Sequence, residues 1–426
     1  MIPAGWTVEP LADIADYKAG RTPARASPEY WGGADDGVPW VAISDMNEFG
    51  TINETKERIT KTAFDHVFRR EAVRAGTLIM SFKLTIGRVA TLGIDACHNE
   101  AIISIYPKPG VDKRYLGYFL AQIDYDTLQD RQVKGNTLNR EKIDRIEIWL
   151  PPLHEQSSIA DVLDLIRLGI QLQDRSLRAA RELKRDAMRV LFSQGLRGEA
   201  LKESEVGPVP ESWLLEPLGA HCLVASGGTP SRGDPAYWQG GKIPWVKTGE
   251  IAYCVINETE EHITKAGLDG SAAKLLPAGT LLMAMYGQGV TRGKVAILGI
   301  EAACNQACAA MRPSDDAVDP KYLYHFLTYR YAAIRQMAHG GHQQNLNLDI
   351  VKDLPVAFSL EENEQQEIVA ILDAVDRKIE LHRRKRNVID ELFKALLHKL
   401  ITGEIRVADL DLSALEIKQD AKVEAA

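Results

Sequence analysis

The feature that most constrains this chain is an internal repeat covering most of its length. The segment GRTPARASPEYWGGADDGVPWV at 20–41 returns as GGTPSRGDPAYWQGGKIPWV at 227–246. Further matches follow in the same order: INET at 52–55 and 256–259, AGTL at 75–78 and 278–281, and GRVATLGI at 87–94 with GKVAILGI at 293–300. The period is far too long for a solenoid, so the sequence predicts one duplicated domain.

Each copy is rich in short apolar segments that lie between Gly, Pro and other turn residues. Segments such as TLIMSF, AIISIY and TLLMAM have the length and composition of β-strands. One helical pattern stands out in each copy, near RYLGYFLAQI and near KYLYHFLTYR. Together these features predict two copies of a mixed, strand-rich domain.

A different pattern follows each copy. From Gln156 to Gln194 apolar residues recur at heptad spacing without a proline, and the pattern returns from Ile368 to Leu400. Such a repeat is typical of a long helix with a coiled-coil seam. Because one helix cannot bury its apolar stripe alone, we expect the two helices to pair in an antiparallel arrangement. The alternative is two ordinary amphipathic helices of separate domains.

Length and composition narrow the protein class. A chain of 426 residues is expected to form at least two domains. It has no apolar stretch long enough for a bilayer and no signal-peptide pattern at its start, which predicts a cytoplasmic protein. Because the formal net charge is -8, any basic groups that meet DNA must be concentrated locally.

The cysteines do not show the spacing of a metal site. The five residues are expected to be reduced and buried, and no metal is predicted; they are Cys97, Cys222, Cys254, Cys304 and Cys308. A site built from Cys304, Cys308 and His98 is the alternative that the sequence favours less.

The order of these segments resembles that of the DNA-specificity subunit of type I restriction-modification systems. The resemblance rests on the twin segments at 20–41 and 227–246, on LPPLHEQSSIA at 150–160, and on the Gly-Glu pairs at 198–199 and 403–404, where the long helices are expected to end. The start of the second helix departs from the pattern, because SLEENEQ at 359–365 replaces the Pro-Pro-Leu form.

The resemblance implies an α+β fold of two duplicated, mixed, strand-rich target-recognition domains, separated by two long helices that pair as an antiparallel coiled coil with pseudo-two-fold symmetry. The implied segments are target-recognition domain 1 at 1–150, a central long helix at 151–206, target-recognition domain 2 at 207–358, a C-terminal long helix at 359–407 and a flexible acidic tail at 408–426.

The function implied by the resemblance is non-catalytic. Each recognition domain would read one half of an asymmetric, bipartite DNA site in the major groove, and the paired helices would set the spacer and dock two modification subunits. Restriction subunits would complete the assembly. No cofactor is expected in this chain, whereas S-adenosylmethionine is expected in the modification subunit.

Three alternatives remain at this stage. The first is the specificity subunit of a related methyltransferase-only or type II-like system. The second is a coiled-coil scaffold that binds only proteins, and the third is a self-contained methyltransferase or nuclease. The last is disfavoured because an amino-methyltransferase needs an Asn/Asp-Pro-Pro-aromatic loop, and the only Pro-Pro pair lies at 151–152 in LPPL.

Base readout requires Arg, Lys, Asn or Gln side chains on loops that reach the groove. Two loops occupy equivalent places in the copies but differ in sequence, as two readers of different half-sites would. Their candidate DNA contacts are Lys83, Arg88, Lys134, Asn136, Asn139 and Arg140 in the first copy, and Tyr286, Gln288, Arg292, Lys294, His342, Gln343, Gln344 and Asn345 in the second.

A second group of candidates lies on segments that the two copies share. For the amides, a buried side chain that satisfies the backbone competes evenly with DNA contact, whereas the arginines either meet phosphates or are solvated. The group consists of Arg21, Asn99, Arg232, Lys247, Asn305 and Gln306. The segment 227–246 itself is almost unchanged between domains expected to read different DNA. It is therefore predicted to be framework, with Tyr237, Trp238 and Trp245 buried.

Overall fold

The coordinates are those of a computed structural model, which describes residues 2–32, 37–128, 138–287, 290–337 and 345–410, without the side chains of residues 126 and 128. The chain divides into two units, one formed by residues 1–173 and 385–426 and the other by residues 174–384. Each unit contains one copy of the repeat, named here the first and the second domain, and part of each long helix.

The first domain alternates short strands with short helices. Its strands are β1 (Thr7–Pro10), β2 (Ala15–Ala19), β3 (Val38–Val41), β4 (Gly50–Ile52), β5 (Glu57–Ile59), β6 (Leu78–Ser81), β7 (Val89–Leu92), β8 (Cys97–His98), β9 (Ile102–Pro107) and β10 (Glu147–Leu150). Its helices are α1 (Leu11–Ile14), α2 (Lys61–His66), α3 (Lys113–Gln122) and α4 (Arg140–Asp144), and the long helix α5 (Leu153–Gln194) follows.

The second domain repeats this order after a small hairpin of β11 (Leu201–Lys202) and β12 (Val209–Pro210). Its strands are β13 (Leu214–Pro217), β14 (Cys222–Ser226), β15 (Ile243–Val246), β16 (Val255–Ile256), β17 (Glu261–Ile263), β18 (Leu281–Ala284), β19 (Val295–Leu298), β20 (Ala303–Cys304), β21 (Cys308–Pro313) and β22 (Pro355–Phe358). Its helices are α6 (Leu218–His221), α7 (Lys265–Asp269), α8 (Pro320–Tyr329), α9 (Tyr331–Met337) and α10 (Leu348–Lys352), and the long helix α11 (Glu362–Ile401) follows.

Both domains have the same strand order. A five-stranded sheet runs β2-β9-β6-β7-β4 in the first domain and β14-β21-β18-β19-β16 in the second, and a three-stranded sheet runs β5-β3-β8 and β17-β15-β20. The outer pairs β4/β7 and β16/β19 are parallel, whereas the other neighbours in the five-stranded sheets are antiparallel. The predicted fold class, α+β with duplicated mixed domains, is confirmed.

The central strand of each large sheet is buried on both faces. In β6, Leu78 and Met80 belong to the core that also contains α3, whereas Ile79 belongs to a second core with Val41 and Ile52. Burial of both faces explains why LIMS and LLMA read as unbroken apolar runs rather than as an alternating pattern.

The domain boundaries predicted from the sequence stay predictions. The tail predicted to be flexible lies outside the described residues from 411 onward. Among the helices that the structure describes, none combines the length and apolar character that a membrane span requires.

The two long helices pack against each other in opposite directions. In the first unit, the start of α5 (Ile159 and Leu163) shares a core with the end of α11 (Phe393 and Leu400). In the second unit, the end of α5 shares a core with the start of α11, through residues that include Met188, Leu191, Phe192, Ile368 and Leu372. The antiparallel pairing predicted from the heptad pattern is confirmed.

A buried glutamine joins the first long helix to its domain. Gln156 Oε1 accepts a hydrogen bond from the Asp112 N–H at 2.8 Å, and its Nε2 donates to the carbonyls of Gly110 at 3.1 Å and Pro151 at 2.8 Å. A buried amide that loses a partner costs about 1–3 kcal/mol, so the three bonds hold the start of α5 against the loop before α3.

Gln365 makes the same three bonds in the second unit. Its Oε1 accepts from the Asp319 N–H at 2.9 Å, and its Nε2 donates to the carbonyls of Ala317 at 2.8 Å and Ser359 at 2.7 Å. The chain therefore enters α11 as it enters α5, although SLEENEQ replaces the Pro-Pro-Leu form. The shared Glu-Gln pair, not the proline pair, builds this junction.

The glutamate before each glutamine binds a tryptophan. Trp6 Nε1 donates to Glu155 Oε2 at 3.2 Å, and Trp213 Nε1 donates to Glu364 Oε2 at 3.1 Å. Each tryptophan lies just before the first strands of its domain. The Glu-Gln pair thus contacts both ends of the domain sequence.

Helix α8 contacts the long helices through charged groups. His325 Nε2 lies 2.9 Å from Asp373 Oδ1, and Lys321 Nζ lies 3.1 Å from Asp373 Oδ2. One turn further along α11, both oxygens of Asp376 accept hydrogen bonds from Lys184 Nζ of α5 at 2.7 Å. The ion pair of Lys321 with Asp373 therefore joins the second domain to its helix pair, beside the aromatic contacts of Phe192 with Tyr322 and Phe326.

The corresponding joint of the first unit keeps the ion pair and adds an aromatic group, because Arg114 of α3, at the position of Lys321, has its Nη1 3.1 Å from Asp164 Oδ2. Tyr118 stands in α3 where His325 stands in α8, and its hydroxyl donates to Asp164 Oδ1 at 2.5 Å. Its ring lies 6.2 Å from that of Phe393 and 5.2 Å from that of Phe49, measured between centroids. The two joints therefore share a basic residue that pairs with an aspartate of the long helix, and they differ in the second partner of that aspartate, which is His325 in one and Tyr118 in the other.

We expect acidification to destabilise the second unit through His325. Burial lowers the pKa of His325 below its ordinary 6.5, although the hydrogen bond that its imidazole donates to Asp373 opposes this effect. Because the unfolded chain then binds the proton more tightly, folding stability falls as pH drops below 6.5. His325→Tyr, which installs the residue of the first domain, should flatten the decline in melting temperature between pH 6.5 and about 5.

His154→Gln is a suitable control because His154 is exposed. This variant should follow the wild-type decline. A His325→Tyr profile parallel to that of the wild type would contradict the prediction.

Candidate nucleic-acid interface

In each domain two loops meet beside the five-stranded sheet. The loop between β6 and β7 (82–88) meets the segment before α4, because the Leu138 N–H donates to the Phe82 carbonyl at 2.9 Å. In the second domain, the Leu346 N–H donates to the Met285 carbonyl at 3.1 Å between the corresponding segments. The two loops on which the sequence predicted DNA contacts are thus adjacent in both domains.

The 82–88 loop is held in one conformation. The Arg88 N–H donates to Ser81 Oγ at 3.2 Å, and the Gly87 N–H donates to the Ser81 carbonyl at 2.9 Å. Gly87 has φ of +81°, and a Cβ at this position would lie 2.3 Å from the Tyr125 ring. A glycine is therefore required for the loop to close against this tyrosine.

The loop between β18 and β19 (285–294) has similar supports. The Gly293 N–H donates to the Ala284 carbonyl at 2.8 Å, and Gly293 has φ of +85°. The Tyr331 hydroxyl, at the start of α9, donates to the Val290 carbonyl at 2.5 Å. Helix α9 was missed from the sequence, which predicted one helix in this region, and it supports the loop.

Two of the predicted contacts of the first domain lie on the 82–88 loop. Lys83 is half-buried, and its Nζ lies 5.3 Å from the centroid of the Phe82 ring. The Arg88 guanidinium donates to the carbonyls of Ile43 and Met46 at 3.2 Å each. Arg88 therefore supports a neighbouring loop, and its DNA contact stays a prediction.

Asn139 and Arg140 lie where the second loop ends at α4. Asn139 is the N-cap of this helix, and its Oδ1 accepts from the Lys142 N–H at 2.9 Å. Arg140 is exposed, with its Nε 3.9 Å from Asp144 Oδ2. Arg140 is free to reach a phosphate or a base edge by a change of rotamer, since an exposed pair at this distance contributes little.

The second domain exposes fewer of its predicted residues. Tyr286 and Asn345 are exposed, whereas Arg292 is buried. Lys294 is half-buried, with its Nζ 5.7 Å from the centroid of the Tyr253 ring. The remaining candidates of both loops lie outside the described residues: Lys134, Asn136, Gln288, His342, Gln343 and Gln344.

Asn99 and Asn305 make the same local turn. The Asn99 Oδ1 accepts from the Ala101 N–H at 2.5 Å, and the Asn305 Oδ1 accepts from the Ala307 N–H at 3.1 Å. Such Asx turns satisfy the amide locally, which favours the structural role that competed with DNA contact.

Gln306 follows this turn, and its Oε1 accepts a hydrogen bond from the Thr229 hydroxyl. In the first domain Glu100 and Thr22 form the matching bond. Both side chains thus connect the turn to the Thr-Pro segment of the repeat. The predicted DNA contacts of Asn99, Asn305 and Gln306 remain predictions.

Arg232 lies over the two tryptophans of its segment. Its guanidinium carbon is 3.9 Å from the Trp238 ring centroid and 4.8 Å from that of Trp245, and its Nη1 pairs with Glu261. Trp245 is buried as predicted, whereas Tyr237 and Trp238 are only half-buried. The prediction that all three rings are buried was wrong because Arg232, rather than apolar side chains, covers Trp238.

The counterpart of Arg232 is Arg25, not Arg21. The Arg25 guanidinium carbon lies 3.9 Å from the Trp31 centroid, and its Nη1 lies 2.6 Å from Glu57 Oε1. Arg21 instead donates to a backbone carbonyl near the end of α2. Framework arginines with cation–π contacts therefore account for this part of the repeat.

Lys247 is also engaged within its domain. Its Nζ lies 2.5 Å from Glu260 Oε2 and 3.3 Å from Glu261 Oε1. The two carboxylates raise the pKa of Lys247, with the hydrogen bond to Glu260 contributing most. The DNA contacts of Arg21, Arg232 and Lys247 stay predictions.

One described cluster has the composition of a metal site. Ligand atoms of His325, Asp373 and Asp376 lie within 4.8 Å of one another. Lys321 and Lys184 already pair with the two carboxylates, so a divalent cation would have to displace both ammonium groups. The cluster therefore acts as the ionic joint described above.

The cysteine alternative is also disfavoured. The hydrogen bond with Cys308, together with burial, raises the pKa of Cys304, so its thiol stays protonated, whereas metal ligation requires a thiolate. His98 lies in the first unit, where its Nε2 is 2.6 Å from Ser104 Oγ.

The sequence reasoning missed the aliphatic side chains at the surface of these loops. Leu84 and Val290 are among the most exposed large apolar residues that the structure describes. The signal in the sequence was an aliphatic residue three positions before each of the matched segments GRVATLGI and GKVAILGI.

Comparison with known proteins agrees with the duplicated architecture. The family model "Type I restriction modification DNA specificity domain" matches the chain twice, at residues 3–178 and 210–391. The MjaIX type I restriction enzyme specificity subunit of Methanocaldococcus jannaschii is 24% identical over 96% of this chain and 95% of its own length. The EcoR124I/EcoR124II specificity subunit of Escherichia coli is 28% identical over 42% of each chain.

Solved structures show the same fold. The S subunit of a type I restriction-modification system from M. genitalium superimposes with a TM-score of 0.60, at 14% sequence identity, over 94% of this chain and 96% of that one. Together, the two family matches cover most of the chain, one for each domain and its long helix. The chain therefore belongs to the type I restriction-modification DNA-specificity family.

Proposed function

We propose that the chain selects the DNA sequence on which a type I restriction-modification complex acts, and that each domain reads one half of an asymmetric bipartite site in the major groove. One observation carries this proposal. The two domains share their strand order, the hydrogen bonds that support the loops and the junctions with the long helices, but the paired loops beside their sheets differ in sequence. A common framework with divergent loops is what two readers of unlike half-sites require.

The family is one of specificity subunits, so the chemistry belongs to other subunits. We place S-adenosylmethionine in the partner modification subunit and assign no cofactor to this chain. The complex would act on DNA in the cytoplasm.

The long helices provide a surface for those partners. Besides the buried seam, both carry leucines, valines or isoleucines that are exposed. On α5 these are Leu165, Leu168, Leu172, Leu183 and Val190, and on α11 they are Ile371, Leu381, Val388 and Leu392. Repeated exposed apolar residues along a helix are typical of a helix-packing interface. We propose that two modification subunits dock here and that restriction subunits join them in the full complex.

The direct test is DNA selection by the chain in complex with its modification partner. Duplexes retained from a random pool should share a split motif, and log affinity should fall steeply and linearly with log salt because phosphate contacts release counterions. The same selection with the modification partner alone is the control.

A scaffold that binds only proteins is the competing function, and the exposed helix leucines fit it equally well. In that case the chain adds no sequence preference to the complex. Retention of duplexes without a shared motif would therefore favour the scaffold.

Exchange of one domain should change one half-site. Replacing residues 1–150 by the first domain of another family member is expected to alter one half of the selected motif and to leave the other half and the gap unchanged. The reciprocal exchange of residues 207–358 should alter the other half. A change in both halves after a single exchange would show that the domains do not read independently.

Shortening the helix pair should shorten the gap between the half-sites. Removing one heptad from each helix, 172–178 and 381–387, preserves the phase of the seam and shortens each helix by about 10 Å. This corresponds to about 3 base pairs of B-DNA. Sequencing of selected duplexes should show a narrower gap with both half-sites retained.

A length-matched control replaces the same heptads by other heptads with identical seam residues. It should keep the original gap. An unchanged gap in the shortened variant would contradict the role of the helices as a spacer.

A further inference from the structure

In each domain one large aliphatic side chain is exposed on the corresponding loop, between β6 and β7 or between β18 and β19. Leu84 is 75% exposed on the 82–88 loop, and Val290 is 62% exposed on the 285–294 loop. Both residues lie five positions before the strand that follows the loop, β7 or β19, although the second loop is three residues longer than the first. A single exposed apolar residue is ordinary, but one at the same distance from the following strand in both loops is a feature that the two domains share.

Hydrogen bonds hold the backbone of both loops, so a poorly supported loop does not explain why these side chains are exposed. The 82–88 loop is closed by the Ser81 and Gly87 bonds described above, and its Phe82 N–H donates to the Ala101 carbonyl at 2.9 Å. Leu84 has φ of +65°, a left-handed conformation that is costly for a residue with a Cβ. The backbone of Val290 is held by the Tyr331 hydroxyl.

The surroundings of both residues are suited to DNA. Lys83 precedes Leu84, and the exposed Arg140 lies on the adjoining segment that Leu138 bonds to this loop. Tyr286 is exposed on the loop of Val290. An aliphatic side chain cannot donate a hydrogen bond to a phosphate. It therefore contributes to DNA binding only by packing on an apolar group of the DNA.

In the major groove, the apolar group that the bases present is the C5-methyl of thymine. We propose that Leu84 and Val290 each pack on a thymine methyl, one in each half-site, and so contribute apolar readout beside the polar contacts of the loops. This inference rests on the proposed function. It predicts at least one thymine in each half-site whose methyl group contributes to binding.

The test replaces each thymine of the selected duplex by deoxyuridine, one at a time, and measures the affinity of the complex of this chain with its modification partner. Loss of one methyl contact should weaken binding about fourfold. Leu84→Ala should abolish this sensitivity at one thymine of one half-site, and Val290→Ala should abolish it at one thymine of the other half-site.

Exposed residues elsewhere supply matched controls. Leu223→Ala and Val255→Ala remove comparably exposed aliphatic side chains from strands β14 and β16. Both variants should keep the wild-type response to every deoxyuridine. A loss of sensitivity in the controls would overturn the assignment, because the effect would then not be specific to the loops.

Two further outcomes would overturn the inference. If Leu84→Ala and Val290→Ala retain full deoxyuridine sensitivity, the side chains do not contact the methyl groups, although a selected split motif would still support the proposed function. If either variant weakens retention of the modification subunit, its side chain is a protein contact. Absence of any selected motif in the wild type would instead refute the proposed function itself.

Discussion

The buried amide at the start of each long helix is the interaction on which the rest of the structure depends. Gln156 and Gln365 each satisfy one N–H and two carbonyls at the point where the strand-rich domain ends and the helix begins. Loss of any of these bonds would leave a buried polar group without a partner. These bonds therefore fix how each helix leaves its domain.

The hydrogen bonds at these junctions belong to a framework that both domains retain, whereas other parts of the two domains differ in sequence. Three features recur in both domains: the glutamine junctions, the contacts of Arg25 or Arg232 with a tryptophan and a glutamate, and the Asx turns. The loops beside the sheets are held at their bases, through Leu138 and Leu346, and differ beyond them. The sequence of the loops can therefore change without loss of the domain or of its attachment to the helix pair.

Much of the fold and less of the candidate site followed from the sequence. The repeat predicted duplication, and heptad spacing predicted two long antiparallel helices, because both signals are periodic and local. Side-chain destinations were harder to predict. Arg88 and Arg232 read as candidate DNA contacts, yet the structure engages the first with loop carbonyls and the second with Glu261 and two tryptophans. Those partners are distant in sequence and meet only on folding.

By itself, the sequence determined the duplicated domain, the helix pair, the family and the places where the two copies diverge. Only the tertiary structure decided that SLEENEQ builds the same junction as LPPLHEQ, and that Leu84 and Val290 project from equivalent, braced loops. The reason is physical. Heptad and strand patterns arise from burial along one element, whereas junctions and exposed contacts depend on which distant backbone groups each side chain meets.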